Sequence, residues 1–209
     1  LSDDKLISDK FHYCVSNPPF GKKWEQDQTA VVREHQEKGF EGRFGPKLPR
    51  VSDGSMLFLL HLLSKLEAPE RGGGRAAIVL SGSPLFNGNA GQGESEIRRY
   101  LLEEDVVEAI IALPTDLFYN TGIQTYVWLL TNRKDVARRG KVQLIDASGE
   151  RFWKSMRKSL GSKRREITAE ACDEIARIYH DMLNGDGDWG DVSKIFASTD
   201  FGYREIRVE

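Results

Sequence analysis

Residues 14–24 read Cys14-Val15-Ser16-Asn17-Pro18-Pro19-Phe20-Gly21-Lys22-Lys23-Trp24. Two consecutive prolines cannot continue a helix, and neither can donate to a sheet ladder. The residue before each proline is also pushed out of the helical region. The apolar run at 11–16 therefore reads as a short strand that leaves its sheet at Asn17 through one stiff, extended turn. That turn presents the Asn17 side-chain carbonyl, a prolyl backbone carbonyl and the Phe20 ring. Two rigid acceptors beside a flat aromatic face suit a planar ring that carries an exocyclic amino group.

Outward from this turn the pattern alternates. Residues 21–50 carry Gly, Pro, Lys, Arg and Glu with little periodicity, which predicts a long mobile loop with a short helix near 29–37. Ser52-Asp53 offers an N-cap to residues 56–63, Met-Leu-Phe-Leu-Leu-His-Leu-Leu, a helix apolar almost all round and so expected between layers. Residues 76–80 (Ala-Ala-Ile-Val-Leu) have a central-strand composition. Ile97, Tyr100 and Leu101 share one face of a further helix. Residues 106–113, 124–131 and 141–147 read as three more strands. Strand, helix, strand, helix, strand predicts an α/β fold, an open sheet with a parallel body. The last three strands have no helix between them, so an antiparallel edge is expected. Ligands in such sheets sit at the carboxyl ends of strands, where residues 17–20 lie.

Beyond Ala147 the character changes. Seven basic residues and no acidic one fall between 151 and 165: Arg151, Lys154, Arg157, Lys158, Lys163, Arg164 and Arg165. Their composition predicts a solvated, mobile linker, with DNA phosphate or a partner subunit as the alternative contact. Residues 168–183 form an amphipathic helix pattern with Ala171, Ile175, Ile178 and Met182 on one side. Residues 184–190 read as a loop, and 196–208 as a last strand or hairpin. The expected division is 1–147 for a catalytic domain and 148–209 for an extension, a possible subunit-docking region.

The 209 residues suffice for one good core. A formal net charge of −2 gives no global attraction to nucleic acid, so any such attraction must come from local patches. Two cysteines make neither a disulfide framework nor a metal knuckle and suggest a reducing, cytoplasmic setting. No apolar run approaches the roughly 18 residues of a membrane span. His12, His35, His61 and His180 lack metal-ligand spacing, so no metal is expected.

Asn17-Pro18-Pro19-Phe20 resembles the catalytic signature of amino-group DNA methyltransferases of the adenine type. The likeness extends over most of residues 5–147. The blocks starting at Ser52, Gly73, Ile97 and Leu113 look like the modification subunit of type I restriction-modification systems. The block Leu113-Pro-Thr-Asp-Leu-Phe-Tyr-Asn-Thr-Gly-Ile-Gln-Thr is the most diagnostic after the tetrapeptide. The resemblance implies part of a Rossmann-like sheet and N6-adenine methylation of DNA with S-adenosylmethionine. It implies a separate specificity subunit that reads DNA and a restriction subunit that cleaves it. It assigns Asn17 and the Pro18 carbonyl as acceptors for the amino group, with Pro19 completing the turn and Phe20 stacking on a flipped base. Apart from the resemblance, Lys22 and Lys23 read equally as DNA-backbone contacts or as a solvated loop. The family's glycine-rich cofactor loop should precede the catalytic turn, and only 16 residues stand before Asn17, none of them in a Gly-x-Gly turn. Gly72-Gly73-Gly74 and the 88–93 loop are expected to be plain turns. The chain is thus expected to be the C-terminal part of a longer subunit, inactive alone, with apolar surface exposed at its open sheet edge. The same chemistry on RNA or protein, or a non-catalytic interaction module, are the competing expectations.

Overall fold

β-branched and alanine-rich runs free of proline build the strands, and a computed structural model shows how they assemble over residues 1–185, 189–204 and 206. Among these described residues there are eight strands: β1 (Tyr13–Ser16), β2 (Arg75–Ser81), β3 (Val107–Ala112), β4 (Thr125–Thr131), β5 (Lys141–Asp146), β6 (Trp153–Leu160), β7 (Lys163–Ile167) and β8 (Ser193–Ala197). Six of them form one sheet in the order β1-β2-β4-β3-β5-β8, while β6 and β7 form a separate hairpin. β1 lies parallel to β2, and β3 parallel to β5. β4 runs antiparallel between β2 and β3, and β8 runs antiparallel on β5. The parallel body and the antiparallel edge are as expected. The additional antiparallel strand, β4, lies inside the sheet. β3 turns back through the 113–124 loop, and its partner inserts beside β2, so both sides of β4 find hydrogen bonds.

The helices are α1 (Gln28–Lys38), α2 (Ser55–Ser64), α3 (Ser83–Phe86), α4 (Gly93–Glu103) and α5 (Ala169–His180). α2 buries Met56, Leu57, Leu59 and Leu60, as its near-continuous apolar surface requires. Its N-cap is Gly54 rather than the expected Ser52-Asp53; Asp53, one residue earlier, accepts from the Ser55 backbone N–H at 3.0 Å and the Ser55 hydroxyl at 2.6 Å. α5 starts at Thr168, whose hydroxyl accepts from the Ala171 N–H at 3.2 Å, and buries Ala171, Ile175 and Ile178. It stops before Met182, which adopts a left-handed φ of 51° and so leaves the expected helix.

Three sequence expectations are corrected. Residues 21–50 hold the short helix expected near 29–37, as α1, but the rest is no loose loop: Trp24, Val31 and Phe44 are buried in the main core. Residues 153–167 are not an irregular linker: they pair as a hairpin with Trp153 opposite Ile167 and Ser155 opposite Arg165. The last strand begins at Ser193 rather than 196 and is followed by a 3₁₀ turn (Ser198–Phe201); the expected continuation through 205 and 207–208 lies outside the described residues, as do 186–188 of the 184–190 loop.

The core divides between two sides of the sheet. Trp24, Leu57, Ile78, Leu101, Trp128 and Leu130 belong to one cluster, and Ile145, Phe152, Ile175 and Ile178 to the other, beneath α5. Each fully buried Leu or Ile contributes about 1.5–3 kcal/mol of transfer free energy. By contrast β1 stands at the sheet edge with Tyr13 80% and Val15 85% exposed. No helix among the described residues is long and apolar enough to cross a membrane.

Candidate active site

β1 ends at Ser16, paired with Ile78 of β2, and the two prolines then carry the chain off the ladder at the carboxyl end of the sheet. Pro18 is buried, whereas Asn17 and Pro19 are exposed and Phe20 is half-buried. Gly21 reverses the chain with a φ of 59°. Trp24 then plugs into the core at 3% exposure and donates its indole N–H to the Arg50 carbonyl at 2.9 Å. Two backbone bonds, Trp24 N–H to the Val51 carbonyl at 3.1 Å and Gly54 N–H to the Lys22 carbonyl at 2.9 Å, stitch the far end of the loop to the approach to α2. The segment 17–24 is therefore held at both ends. The Asn17 amide side chain is free of hydrogen bonds to other described residues and stays available to a ligand.

Phe20 meets the 113–124 loop. Its ring contacts the Phe118 ring edge to face, with centroids 5.5 Å apart and planes at 77°. Such a pair contributes about 0.5–1.5 kcal/mol beyond burial and fixes the plane of the Phe20 ring. The supporting loop is itself closely built. Asp116 adopts a φ of 60°, its N–H donates to the Gly122 carbonyl at 3.4 Å, and its carboxylate accepts from the Thr115 hydroxyl at 3.1 Å. A Cβ at Gly122 would stand 2.7 Å from an Asp116 carboxylate oxygen, so a side chain there would push that carboxylate aside. Phe118 lies in the Leu113–Thr125 block, where sequence alone gives it no role. Only the fold brings it, about a hundred residues on, against Phe20.

Lys22 and Lys23 are exposed, and Lys23 pairs with Glu25 at 3.6 Å, a surface contact of small energetic weight. Burial pushes the Cys14 thiol above its ordinary range, which suits a strand-packing residue rather than a nucleophile. His12 bonds the Gly73 carbonyl at 2.9 Å, and His61 sits beside Arg43 in the α2 region, so neither is drawn to the loop. No group of three or more His, Cys, Asp or Glu side chains among the described residues could hold a metal ion.

The glycine-rich segments do not make a cofactor site. Gly72-Gly73-Gly74 precedes β2 and so lies at the amino end of the sheet, opposite Asn17. Its carbonyls are taken by His12 and by the Thr131 hydroxyl, the latter at 2.8 Å. The 88–93 loop leads into α4, whose first turn already holds the buried Glu94 carboxylate, 3.6 Å from Arg50. An anion would meet that carboxylate, not a free helix terminus. Among the described residues, neither of these glycine-rich segments stands beside residues 17–20. A separate cleft of about 1390 Å³ lies between α4 and the β3–β5 face, lined by Leu102, Trp128, Leu144, Phe196 and Tyr203, and includes none of residues 17–24.

The comparisons with known proteins agree with one another. A family model described as N-6 DNA Methylase matches residues 1–200. The methylase subunit of the type I restriction enzyme MjaIX from Methanocaldococcus jannaschii is 27% identical over 185 residues, 88% of this chain and 30% of that protein. The EcoKI methylase subunit from Escherichia coli is 26% identical over 196 residues, 90% of this chain and 32% of that protein. Among solved structures, the methyltransferase subunit of a type I restriction-modification system from Streptococcus thermophilus superposes with a TM-score of 0.73 at 29% identity, covering 94% of this chain and 36% of that one. The chain spans about a third of the length of these relatives.

Proposed function

We propose that this chain, which belongs to the N-6 DNA methylase family, provides the base-binding half of an adenine-specific DNA methyltransferase of the type I restriction-modification kind. The observation that carries the reading is the Asn-Pro-Pro-Phe turn itself: it stands at the carboxyl end of β1 with an unengaged amide at Asn17 and a ring at Phe20 held by Phe118. An adenine amino group is hidden by pairing in a duplex, so the base must be flipped out to reach such a turn. Phe20 would stack on its face, worth about 1–3 kcal/mol. The Asn17 side-chain oxygen and the Pro18 carbonyl would accept the two amino N–H bonds. That pairing turns the nitrogen lone pair out of the ring plane, toward the side from which a methyl group must arrive. Pro18 and Pro19 keep both acceptors at fixed φ, so little reorganisation is needed as the reaction proceeds.

S-adenosylmethionine would supply the methyl group. The glycine-rich segments lie away from residues 17–20, so the role read for those residues is to bind and orient the base. Lys22 and Lys23, both exposed, would meet the DNA backbone. Association with DNA, a specificity subunit and a restriction subunit belongs to the same proposal. The test is to supply the full-length polypeptide carrying this chain with methyl-labelled S-adenosylmethionine and DNA, and to identify the modified base after digestion. N6-methyladenine is the expected product. Label found only on cytosine, on RNA or on protein would refute the assignment.

A further inference from the structure

The basic hairpin that composition alone leaves as a linker stands on the same loop that holds Phe20. The Ser162 N–H donates to the Tyr119 carbonyl at 2.8 Å, and the Arg164 and Arg165 N–H groups both donate to the Asp116 carbonyl, at 2.9 and 3.2 Å. The Arg165 guanidinium reaches the Thr115 hydroxyl at 2.9 Å. At the tip, Gly161 has a φ of 60° and lies so close to Tyr119 that a Cβ there would stand 2.5 Å from its carbonyl oxygen. Tyr119 is the neighbour of Phe118, and Phe118 contacts Phe20. The other end of the hairpin is anchored too: the Trp153 indole donates to the Ser148 carbonyl at 3.0 Å, and the Arg165 guanidinium lies 3.9 Å from the Trp153 ring centroid.

The cations of this segment divide into two sets. Arg151 pairs with Glu174, Lys154 pairs with Glu166 at 3.1 Å, and Arg165 is used in stacking. Arg157, Lys158, Lys163 and Arg164 form no salt bridge with any described residue, and all but Lys163, which is half-buried, are exposed. Residues 153–167 hold six basic side chains against one acidic, in a chain whose formal net charge is −2. A flipped nucleotide turns about its own backbone, so the phosphates on either side of it must pass along the rim of the base pocket. Cations fixed at that rim neutralise phosphate without reading sequence.

We propose that the β6–β7 hairpin is a DNA-backbone clamp, with Arg157, Lys158, Lys163 and Arg164 contacting the phosphates that flank the base held by residues 17–20. This rests on the adenine reading above. The test is a fluorescence-anisotropy titration of the 209-residue chain with a labelled DNA duplex of about two helical turns, repeated across about 50–200 mM salt. The variant Arg157→Gln, Lys158→Gln, Lys163→Gln, Arg164→Gln is compared with a control that loses equal charge at the amino end of the sheet: Lys10→Gln, Arg71→Gln, Arg139→Gln, Lys141→Gln. Folding of each is checked by its thermal transition.

The hairpin variant is expected to bind about 10- to 100-fold more weakly at the low-salt end. Its slope of log affinity against log salt should be shallower by about 3–4. The control should change affinity by no more than a few-fold. Absence of duplex binding by the unaltered chain, equal losses in both variants, or a hairpin variant that binds DNA normally because its cations serve an acidic protein surface would each overturn the clamp. Failure of the adenine assignment would show separately, as absent or misplaced methyl transfer by the full-length polypeptide with the titration unchanged.

Discussion

The Asn17–Trp24 loop and the β6–β7 hairpin reach the same supporting loop by opposite means. The Asn17–Trp24 loop is short, and its rigidity is largely local: two prolines, one left-handed glycine and the buried Trp24 fix it, with one ring contact to Phe118. The hairpin has no fully buried side chain, and its tip is held by backbone bonds to Asp116 and Tyr119. A device that must place two hydrogen-bond acceptors needs a stiff, desolvated foundation. A device that meets phosphates needs charge at the right rim and tolerates softer support. The 113–124 loop serves both, through a ring on one side and carbonyls on the other.

Paired tryptophan truncations give the largest expected difference. Trp24→Ala removes a buried indole and leaves the Arg50 carbonyl without its donor, at a cost of about 3–5 kcal/mol in denaturant unfolding. Trp153→Ala removes a half-buried ring, one hydrogen bond and one cation–π contact, at about 1–2 kcal/mol. Equal costs would erase the contrast between buried and surface-supported elements.

Next come the aromatic contacts at the base site. Phe20→Ala is expected to lower methyl transfer by the full-length polypeptide about 10- to 100-fold, the equivalent of one lost stacking contact. Phe118→Ala acts only by loosening the Phe20 ring and should cost about 2- to 10-fold. A Phe118 effect larger than that of Phe20 would move the stacking role to the 113–124 loop.

The smallest effect concerns only the foundation of the Asn17–Trp24 loop. His61, on α2, is held below its ordinary pKa by burial and by the neighbouring Arg43, whose guanidinium stands 3.1 Å from the ring nitrogen. The folded state therefore prefers neutral His61. The stability this gives is present above the unfolded value of about 6.5 and is lost as pH falls through the lower folded value. His61→Leu should flatten the decline in urea midpoint between about pH 7 and pH 5. A decline of unchanged steepness would remove His61 from the account.

What could be read in the sequence was what short-range chemistry dictates. The proline pair ends β1 at the residue expected, and the apolar runs became β2, β3, β4, β5 and α2 within one or two positions. What escaped reading depended on contacts far apart in the chain. The 21–50 segment looked irregular because its order comes from three widely spaced anchors, Trp24, Val31 and Phe44, and not from a periodic face. The hairpin looked like a linker because its many charges mask a β pattern whose tip is fixed by Asp116 and Tyr119, some forty residues earlier. Phe118 showed no role until β4 inserted between β2 and β3 and folded the 113–124 loop back onto Phe20.

The central claim is that the Asn17 side chain engages the amino group that receives the methyl. The most direct measurement is the rate of N6-methyladenine formation by the full-length polypeptide carrying Asn17→Ala, taken together with its duplex affinity and thermal transition. A fall of about 10²- to 10³-fold in rate is expected, as for loss of one preorganised hydrogen-bonding group, with folding and duplex affinity unchanged. A rate equal to that of the unaltered protein would contradict it.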